Sequence, residues 1–304
     1  MEETKSTRAE FVRSFKKTDI HVHAVENNRY PHPGGSLFVT PDKLREKYAE
    51  MNVSRALILP MMGSNCSHIM QSNEDAYLMV KKNSDFLSWF CYLDPRLAWN
   101  SPSTDFSHFI NYYKSMGAKG IGELTFNTSI TDPLCDNLYT HAEKCGMPLT
   151  IHLAGHVGGT YGLVDSLGLN GLETVLKNHP GLRILGHSQY FWAHMSADVT
   201  EEAAEGYPSG KVIPGRLCEL AEKYDNLLFD LSADSGGNAI TRDPEFGIAF
   251  LKKYSKRCYF GTDIVFYDTM PTLYSFLDNA YTDGMLTKDE YTAICAENAN
   301  KLLK

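Results

Sequence analysis

The sequence predicts an α/β protein that folds as a single (β/α)8 TIM barrel spanning residues 1–304. Eight short, mostly apolar runs alternate with helical patterns, and no linker or change of composition divides the chain. Hydrophobic residues make up 43% of the chain, which is enough for a sizeable core. An open, doubly wound sheet would show a similar alternation. However, the first run lacks the G-x-G-x-x-G pattern that would support a nucleotide-binding fold of that kind.

Each of the eight runs has the pattern of a buried strand. The predicted strands are residues 18–24, 53–60, 86–93, 118–124, 147–153, 182–187, 226–231 and 257–262. The predicted helices are residues 41–51, 73–82, 103–116, 133–145, 171–178, 215–224, 244–254, 272–281 and 287–303. Thr40 and Pro41 mark the start of the first of these helices, Gly146 follows the fourth, and Thr287 with Glu290 forms a capping box.

The composition argues against several classes of partner and location. The net charge is −8 and no long Lys/Arg cluster occurs, so nucleic acid is not an expected partner. No apolar run approaches the ~18 residues of a membrane span. Residues 1–16 are predicted to be a polar extension without the apolar segment of a signal peptide. The seven cysteines form no C-x-x-C motif, so we expect reduced thiols in a cytoplasmic protein.

The first predicted strand contains two histidines separated by one residue. Side chains at i and i+2 of a strand point to the same face, so His21 and His23 can direct two imidazoles at one point, as a divalent metal requires. Asp19 lies on the same face and could reach the site or orient a histidine. Two strand histidines satisfied by ordinary hydrogen bonds remain the alternative at this point.

Polar residues also end four later strands. They are Glu123 on the fourth strand, His152 on the fifth, His187 on the sixth and Asp263 after the eighth. Each alone could be a rim carboxylate, a core histidine or a turn cap. In a barrel, however, the carboxyl ends of all strands meet at one rim, where active sites form. Together with the first-strand histidines, they therefore predict a metal centre.

This set of residues resembles the amidohydrolase superfamily. The segments DIHVHA, IGEL, IHLA, LGHS and FGTD, with the helical tail ENANKLL, are similar to the amidohydrolase-related (amidohydrolase 2) family. The resemblance covers nearly the whole chain, and it implies a TIM barrel with a divalent metal. It does not name a substrate, because that family includes hydrolases of lactones and amides as well as non-oxidative decarboxylases of aromatic acids.

The resemblance also implies roles for individual residues. His21 and His23 would bind the buried metal, and Asp263 would be both a ligand and the proton shuttle. With one ion, His152 would complete the site and His187 would contact substrate or water. With two ions, His152 and His187 would hold the second and Glu123 would bridge. Imidazole and carboxylate ligands suit zinc first, with manganese or iron as alternatives.

Loops at the same rim are expected to choose the substrate. The candidate substrate-binding residues are Arg29, Tyr30, His156, Trp192 and Arg242. Aromatic residues could wall a pocket, and an arginine could hold a carboxylate through paired hydrogen bonds. The glycine pairs at 158–159 and 236–237 are predicted to lie in turns of these loops. The segment 188–214, with its clustered glutamates, is predicted to be a solvated helix or a lid.

These observations predict a metal-dependent hydrolase that acts on a small polar or carboxylated ester, lactone or amide. The alternative is a metal-dependent decarboxylase of a small aromatic acid, in which an arginine would grip the carboxylate. Phosphodiester hydrolysis fits poorly with the acidic charge balance. A non-catalytic binding barrel and the formation of homo-oligomers also stay open on sequence alone.

Overall fold

A computed structural model describes residues 3–66 and 69–303. Its strands are β1 (Lys17–Val22), β2 (Val53–Ile58), β3 (Leu87–Trp89), β4 (Ile121–Leu124), β5 (Leu149–Ala154), β6 (Leu163–Val164), β7 (Ile184–His187), β8 (Leu227–Asp230) and β9 (Cys258–Tyr259). Its helices are α1 (Lys5–Ser14), α2 (Pro41–Met51), α3 (Asn73–Lys82), α4 (Phe106–Ser115), α5 (Pro133–Cys145), α6 (Asn170–Asn178), α7 (Gln189–Ala193), α8 (Glu201–Ala204), α9 (Arg216–Lys223), α10 (Ala233–Thr241), α11 (Pro244–Lys253), α12 (Leu273–Thr282), α13 (Lys288–Thr292) and α14 (Asn298–Leu302), with a π-helical turn (Ala293–Glu297) between the last two.

The strands are parallel and form two arcs that join into a barrel. One arc has the order β1-β2-β3 and the other β4-β5-β7-β8-β9, with the short β6 paired beside β5. Cys91 just after β3 pairs with Ile121 of β4, and Val22 of β1 pairs with Ile264 after β9. At this second seam the amide of His23 donates to the carbonyl of Ile264 at 3.0 Å. Backbone pairing therefore continues across both seams, which confirms the predicted TIM-barrel fold.

Apolar side chains fill the barrel beneath the polar strand ends. One buried cluster combines strand residues with the C-terminal helix: Ile20, Leu57, Leu59, Phe90, Leu185, Leu228, Tyr259, Ala299, Leu302 and Leu303. Leu185 lies two positions before His187 and Leu228 two before Asp230, so each pair shares one face of its strand. The polar residues at the strand ends therefore stand directly on a packed apolar floor, which holds them in place.

The N-terminal extension is not the purely polar tail that the sequence suggested. Residues 5–14 form α1, which packs against α12 through aromatic contacts. The ring of Phe11 lies 5.6 Å from that of Tyr281, and Phe15 lies 5.4 Å from Tyr291. Residues 1–2 of the predicted extension lie outside the described part of the chain. Phe11 and Phe15 therefore attach the extension to the barrel, together with an ion pair between Lys5 and Asp283.

The loop prediction for residues 236–237 was wrong, because both glycines lie inside α10. A Cβ on Gly236 would lie 2.4 Å from the carbonyl oxygen of Leu231, so the missing side chain lets the helix pack directly on the backbone after β8. Gly158 and Gly159 do occupy a turn, with φ of 83° and 68°. A glycine pair can thus permit close packing as well as a turn.

The segment 188–214 contains the buried helix α7 and the short helix α8. Glu201 and Glu202 are exposed, as expected, whereas the carboxylate of Glu205 accepts a hydrogen bond from the amide of Gly155 at 2.9 Å. In the described residues, no helix combines the length and apolar character required to cross a membrane.

Candidate metal centre

The two first-strand histidines have fixed tautomers. His23 Nδ1 lies 2.8 Å from the carbonyl oxygen of Leu59, which can only accept, so Nδ1 carries the proton. His21 Nδ1 lies 2.6 Å from Oδ2 of Asp230, an arrangement that likewise places an N–H on Nδ1. The two Nε2 atoms point away from these partners and face each other at 3.1 Å. Two ring nitrogens at this distance require a cation, either a proton on one of them or a metal ion bound by both.

Two carboxylates complete this group of acceptors. Glu123 Oε2 lies 3.6 Å from His21 Nε2 and 3.4 Å from His23 Nε2. Asp263 Oδ1 lies at the same two distances from the same two nitrogens. Ligand atoms bound about 2.0–2.1 Å from one tetrahedral zinc ion are roughly 3.3–3.4 Å apart. The spacing therefore fits the vertices of a metal coordination shell.

A second group of possible metal ligands adjoins the first through the same glutamate. Glu123 Oε1 lies 2.8 Å from His152 Nδ1 and 3.8 Å from His187 Nε2. His187 Nε2 is also 3.8 Å from Oδ2 of Asp263. The two oxygens of Glu123 thus face two different histidine pairs. This geometry suits one ion or two.

Burial and charge act on these groups in opposite directions. Burial alone would lower the pKa of His21, but the charges of Asp230 and Asp263 raise it well above its ordinary value. Burial would raise the pKa of Glu123, yet hydrogen bonds from His152 and the other histidines hold it well below its usual range. The centre as a whole therefore favours bound positive charge.

Asp263 and Asp19 stand at the same seam but have different roles. Asp263 has a φ of 52°, in the left-handed region that aspartate tolerates, and its amide donates to the carbonyl of His21 at 2.8 Å. Asp19 is fully buried and accepts from the hydroxyl of Tyr48 at 2.6 Å and from the amides of His21 and Thr262, both at 3.0 Å. This geometry supports Asp19 as an orienting group rather than a ligand, because its carboxylate holds the backbone amides of His21 and Thr262.

Sequence reasoning missed Asp230. This fully buried aspartate holds the imidazole of His21, and its Oδ2 lies 3.6 Å from Nδ1 of His187. The hydroxyl of Ser232 lies 3.1 Å from the same nitrogen of His187. A carboxylate behind a metal-binding histidine fixes its ring and raises its basicity. The available signal was an aspartate inside the otherwise apolar run LLFDL.

A cavity of about 280 Å³ opens above these residues. Its described lining residues are His23, His32, Phe38, Pro60, Met61, Cys66, Glu123, Thr125, His152, Tyr161, Asp263, Val265 and Phe266. Four of the six predicted metal ligands line it, and His21 and His187 lie within 4 Å of the carboxylates that do. The structure thus brings all six predicted ligand residues together.

None of the five predicted substrate-binding residues lines this cavity. Trp192 lies in the core instead of the cavity wall: it is 2% exposed, and its indole N–H donates to the carbonyl of Asp230 at 3.1 Å. Arg29 and Tyr30 are exposed, and His156 is exposed beside Glu205. Arg242 lines a separate cavity beside α7 and α8. Loop position alone did not indicate which side chains turn inward.

No protein-family model and no curated protein matches the sequence. Several solved structures match the fold. An uncharacterised TIM-barrel protein from Bordetella bronchiseptica is 15% identical with a TM-score of 0.64, and the match covers 95% of this chain and 98% of that one. A 2,6-dihydroxybenzoate decarboxylase from Rhizobium is 13% identical with a TM-score of 0.55, covering 95% and 98%. A protein from Pseudomonas putida assigned as a 2-pyrone-4,6-dicarboxylic acid hydrolase is 12% identical with a TM-score of 0.58, covering 94% and 97%. At these identities the similarity establishes a shared fold.

Proposed function

We propose that this chain is a metal-dependent enzyme of the amidohydrolase superfamily that hydrolyses a small ester, lactone or amide. One observation carries the proposal. Nε2 of His21, Nε2 of His23, and one oxygen each of Glu123 and Asp263 converge at 3.1–3.6 Å. Such a group is unfavourable without a cation and matches the ligand shell of one.

The ligand types support zinc as the resident ion, with manganese or iron as alternatives. A divalent ion held here would lower the pKa of a bound water and polarise the substrate carbonyl. The open cavity on one side of the ligands is what a catalytic, rather than structural, metal site requires.

Asp263 is the residue best placed to move a proton. Its side chain is 22% exposed and lines the cavity, and its two oxygens face different groups: Oδ1 faces His21 and His23, and Oδ2 faces His187. Asp263 can therefore accept a proton from the attacking water and deliver it to the leaving group. His187 would contact the same water or the substrate oxygen.

The position of Glu123 favours hydrolysis over the alternative. With each oxygen facing a separate histidine pair, Glu123 could help to hold two ions, and a two-metal site would supply an activated water for hydrolysis.

Decarboxylation is the second candidate, and one contact favours it. His152 Nδ1 and Glu123 Oε1 are 2.8 Å apart, an ordinary hydrogen-bond distance. If that hydrogen bond persists, Glu123 stays bound to His152 and a single ion remains. The arginine expected to grip a carboxylate is absent from the described lining of the cavity, which weakens this candidate.

The proposal also includes a reducing location. All seven cysteines are unpaired, which suits the cytoplasm. The fold and its charge balance support a small-molecule substrate, with neither nucleic acid nor membrane as a partner.

Metal content and an Asp263→Asn variant test the function together. Protein purified without chelator should contain one or two divalent ions per chain by elemental analysis. On esters or lactones that the native protein cleaves, Asp263→Asn should lose at least about 100-fold in turnover because the proton acceptor is gone. Asp225→Asn, an exposed aspartate far from the cavity, is the matched control and should keep full activity. Protein that binds no metal after reconstitution, or an Asp263→Asn variant with native turnover, contradicts the proposal.

A further inference from the structure

A second cavity lies in the segment that follows the carboxyl end of β7. Its volume is about 380 Å³, within the range of roughly 300–1,000 Å³ that is typical of small-molecule sites. Most of its described lining residues belong to residues 193–209, and Arg242, the residue after α10, completes them. None of these residues lines the cavity above the metal ligands. The barrel therefore has two cavities with separate walls.

Arg242 is a half-buried cation whose donors are not all satisfied. Its Nε and Nη2 atoms are buried and have no hydrogen-bond partner among the described residues. On a guanidinium these two nitrogens form one edge, and their parallel N–H groups match two oxygens of a carboxylate or a phosphate. Burying such donors without a partner is unfavourable. Arg242 therefore has the donor geometry for an oxyanion and lacks one from the chain.

Two aspartates lie near Arg242, but hydrogen bonds hold both of them elsewhere. Burial lowers the pKa of the Arg242 guanidinium, and the charges of Asp198 and Asp243 oppose that effect. One oxygen of Asp198 accepts from the hydroxyl of Ser196 at 2.6 Å, and one oxygen of Asp243 accepts from the amide of Val212 at 3.0 Å. These carboxylates help to keep Arg242 charged without accepting from its Nε or Nη2.

Two other partly buried arginines show how this chain satisfies a guanidinium. Arg216 donates to the carbonyl of Gly168 at 3.0 Å and to the carboxylate of Glu219 at 2.9 Å. Arg257 donates to three backbone carbonyls. Both have a structural role that the chain completes by itself. Arg242 differs from them because it lines a cavity and its Nε–Nη2 edge is unpaired.

Tyr207 places this second cavity near the metal centre. It lines the cavity, and burial together with the charges of Asp234 and Asp263 raises the pKa of its phenol. Asp263 in turn lines the cavity above the metal ligands. A ligand beside Arg242 would therefore lie close to the metal centre, although the two cavities share no described lining residue.

We propose that the second cavity is an oxyanion-binding site separate from the metal centre, in which the guanidinium of Arg242 pairs with a carboxylate or phosphate group of a small molecule. The bound group is distinct from the one that would meet the metal. The site requires neither a metal ion nor hydrolysis, so it goes beyond the proposed function.

Calorimetric titration of metal-loaded protein tests the site, with inorganic phosphate and acetate as the two probes in a chloride buffer free of other oxyanions. We expect at least one probe to bind, and the tighter of the two identifies the source as phosphate or carboxylate. Arg242→Gln should weaken that binding by at least about 10-fold, because the charge-assisted pair is lost. If neither probe binds, or if Arg242→Gln binds as tightly as the native protein, the proposal is wrong.

Two further variants sharpen the result. Arg13→Gln removes an exposed arginine of α1 and is the matched control, so it should leave the affinity unchanged. Arg242→Lys keeps the charge but loses the paired edge, and its affinity should fall between those of the native protein and Arg242→Gln. Native affinity in Arg242→Lys would contradict paired binding. Thermal unfolding verifies that each variant is folded.

Removing the metal separates this site from the metal centre. Binding that needs Arg242 but survives chelation supports the proposal, whether or not any ester, lactone or amide is hydrolysed. Binding that disappears with the metal and persists in Arg242→Gln would place the anion on the metal, and the proposal would then fail while the metal-dependent function stands.

Discussion

Strand β1 carries buried polar groups at both of its ends, and the two ends differ in how the charge is balanced. At its start, Lys17 is fully buried, and its ammonium donates to the carbonyl of Met51 and to the carboxylate of Asp278, both at 3.0 Å. The hydroxyl of Tyr291 also donates to Asp278, at 2.6 Å. Every charge at this end has its partner within the chain.

At the other end of β1 the buried carboxylates have no lysine or arginine partner among the described residues. The ion-pair partners of Glu123 and Asp263 there are all histidines, whose positive charge depends on protonation. A buried cluster that is complete by itself stabilises a fold, whereas one that needs an external ion indicates a function. A structural cluster therefore differs from a functional one less in how deeply its charges are buried than in whether those charges are balanced within the chain.

The largest expected effect is on metal affinity, at the end of β1 that carries His21. His21→Ala removes one ligand nitrogen and the partner of Asp230, so metal affinity should fall by more than about 100-fold. Elemental analysis after dialysis against a weak chelator measures this loss. His108→Ala, an exposed histidine on α4, provides the control and should retain native metal content. Native metal content in His21→Ala would remove the distinction between the two ends.

A substitution at the start of β1, where Lys17 lies, should change only the stability of the fold. Lys17→Met leaves Asp278 largely buried without its cation, and breaking such a pair from one side costs about 3 kcal/mol. Urea unfolding should show that loss equally in metal-loaded and metal-free protein, because the pair is remote from the ligands. A loss of metal affinity on the same scale would show that the two ends of β1 are coupled.

The smallest effect is a pH dependence confined to the metal-free protein. With its pKa raised well above the ordinary value, His21 stabilises the metal-free fold below about pH 6.5, its unfolded pKa. That contribution is lost as the pH rises through the folded pKa. The melting temperature of chelated protein should therefore fall as the pH is raised above neutral, while that of metal-loaded protein should not. Parallel melting curves for the two forms would contradict the raised pKa.

The strand-end residues could be predicted because topology converts sequence position into proximity. Glu123, His152 and His187 are far apart along the chain, but parallel strands of one barrel place their carboxyl ends together. Predicted strands that each end in a polar residue were therefore enough to predict the metal centre.

The rest depended on contacts that no local pattern encodes. Trp192 follows a strand within a rim segment, but α7 turns it into the core, where its ring packs 6.1 Å from that of Phe229. Phe38 and Phe266 line the cavity because two loops remote in sequence pair with each other. Asp230 could not be recognised as the partner of His21 until β8 was placed near β1. Loop conformation and partners of this kind are set by tertiary packing.

The division of the barrel into two arcs gives the centre a part in assembly. His21 and His23 belong to the arc β1-β2-β3 and its end, whereas Glu123, His152 and His187 lie on strands of the other arc. Neither arc alone presents the full set of ligands. An ion bound by ligands from both arcs would link the two arcs. Metal binding would therefore stabilise the closed barrel against separation of its arcs.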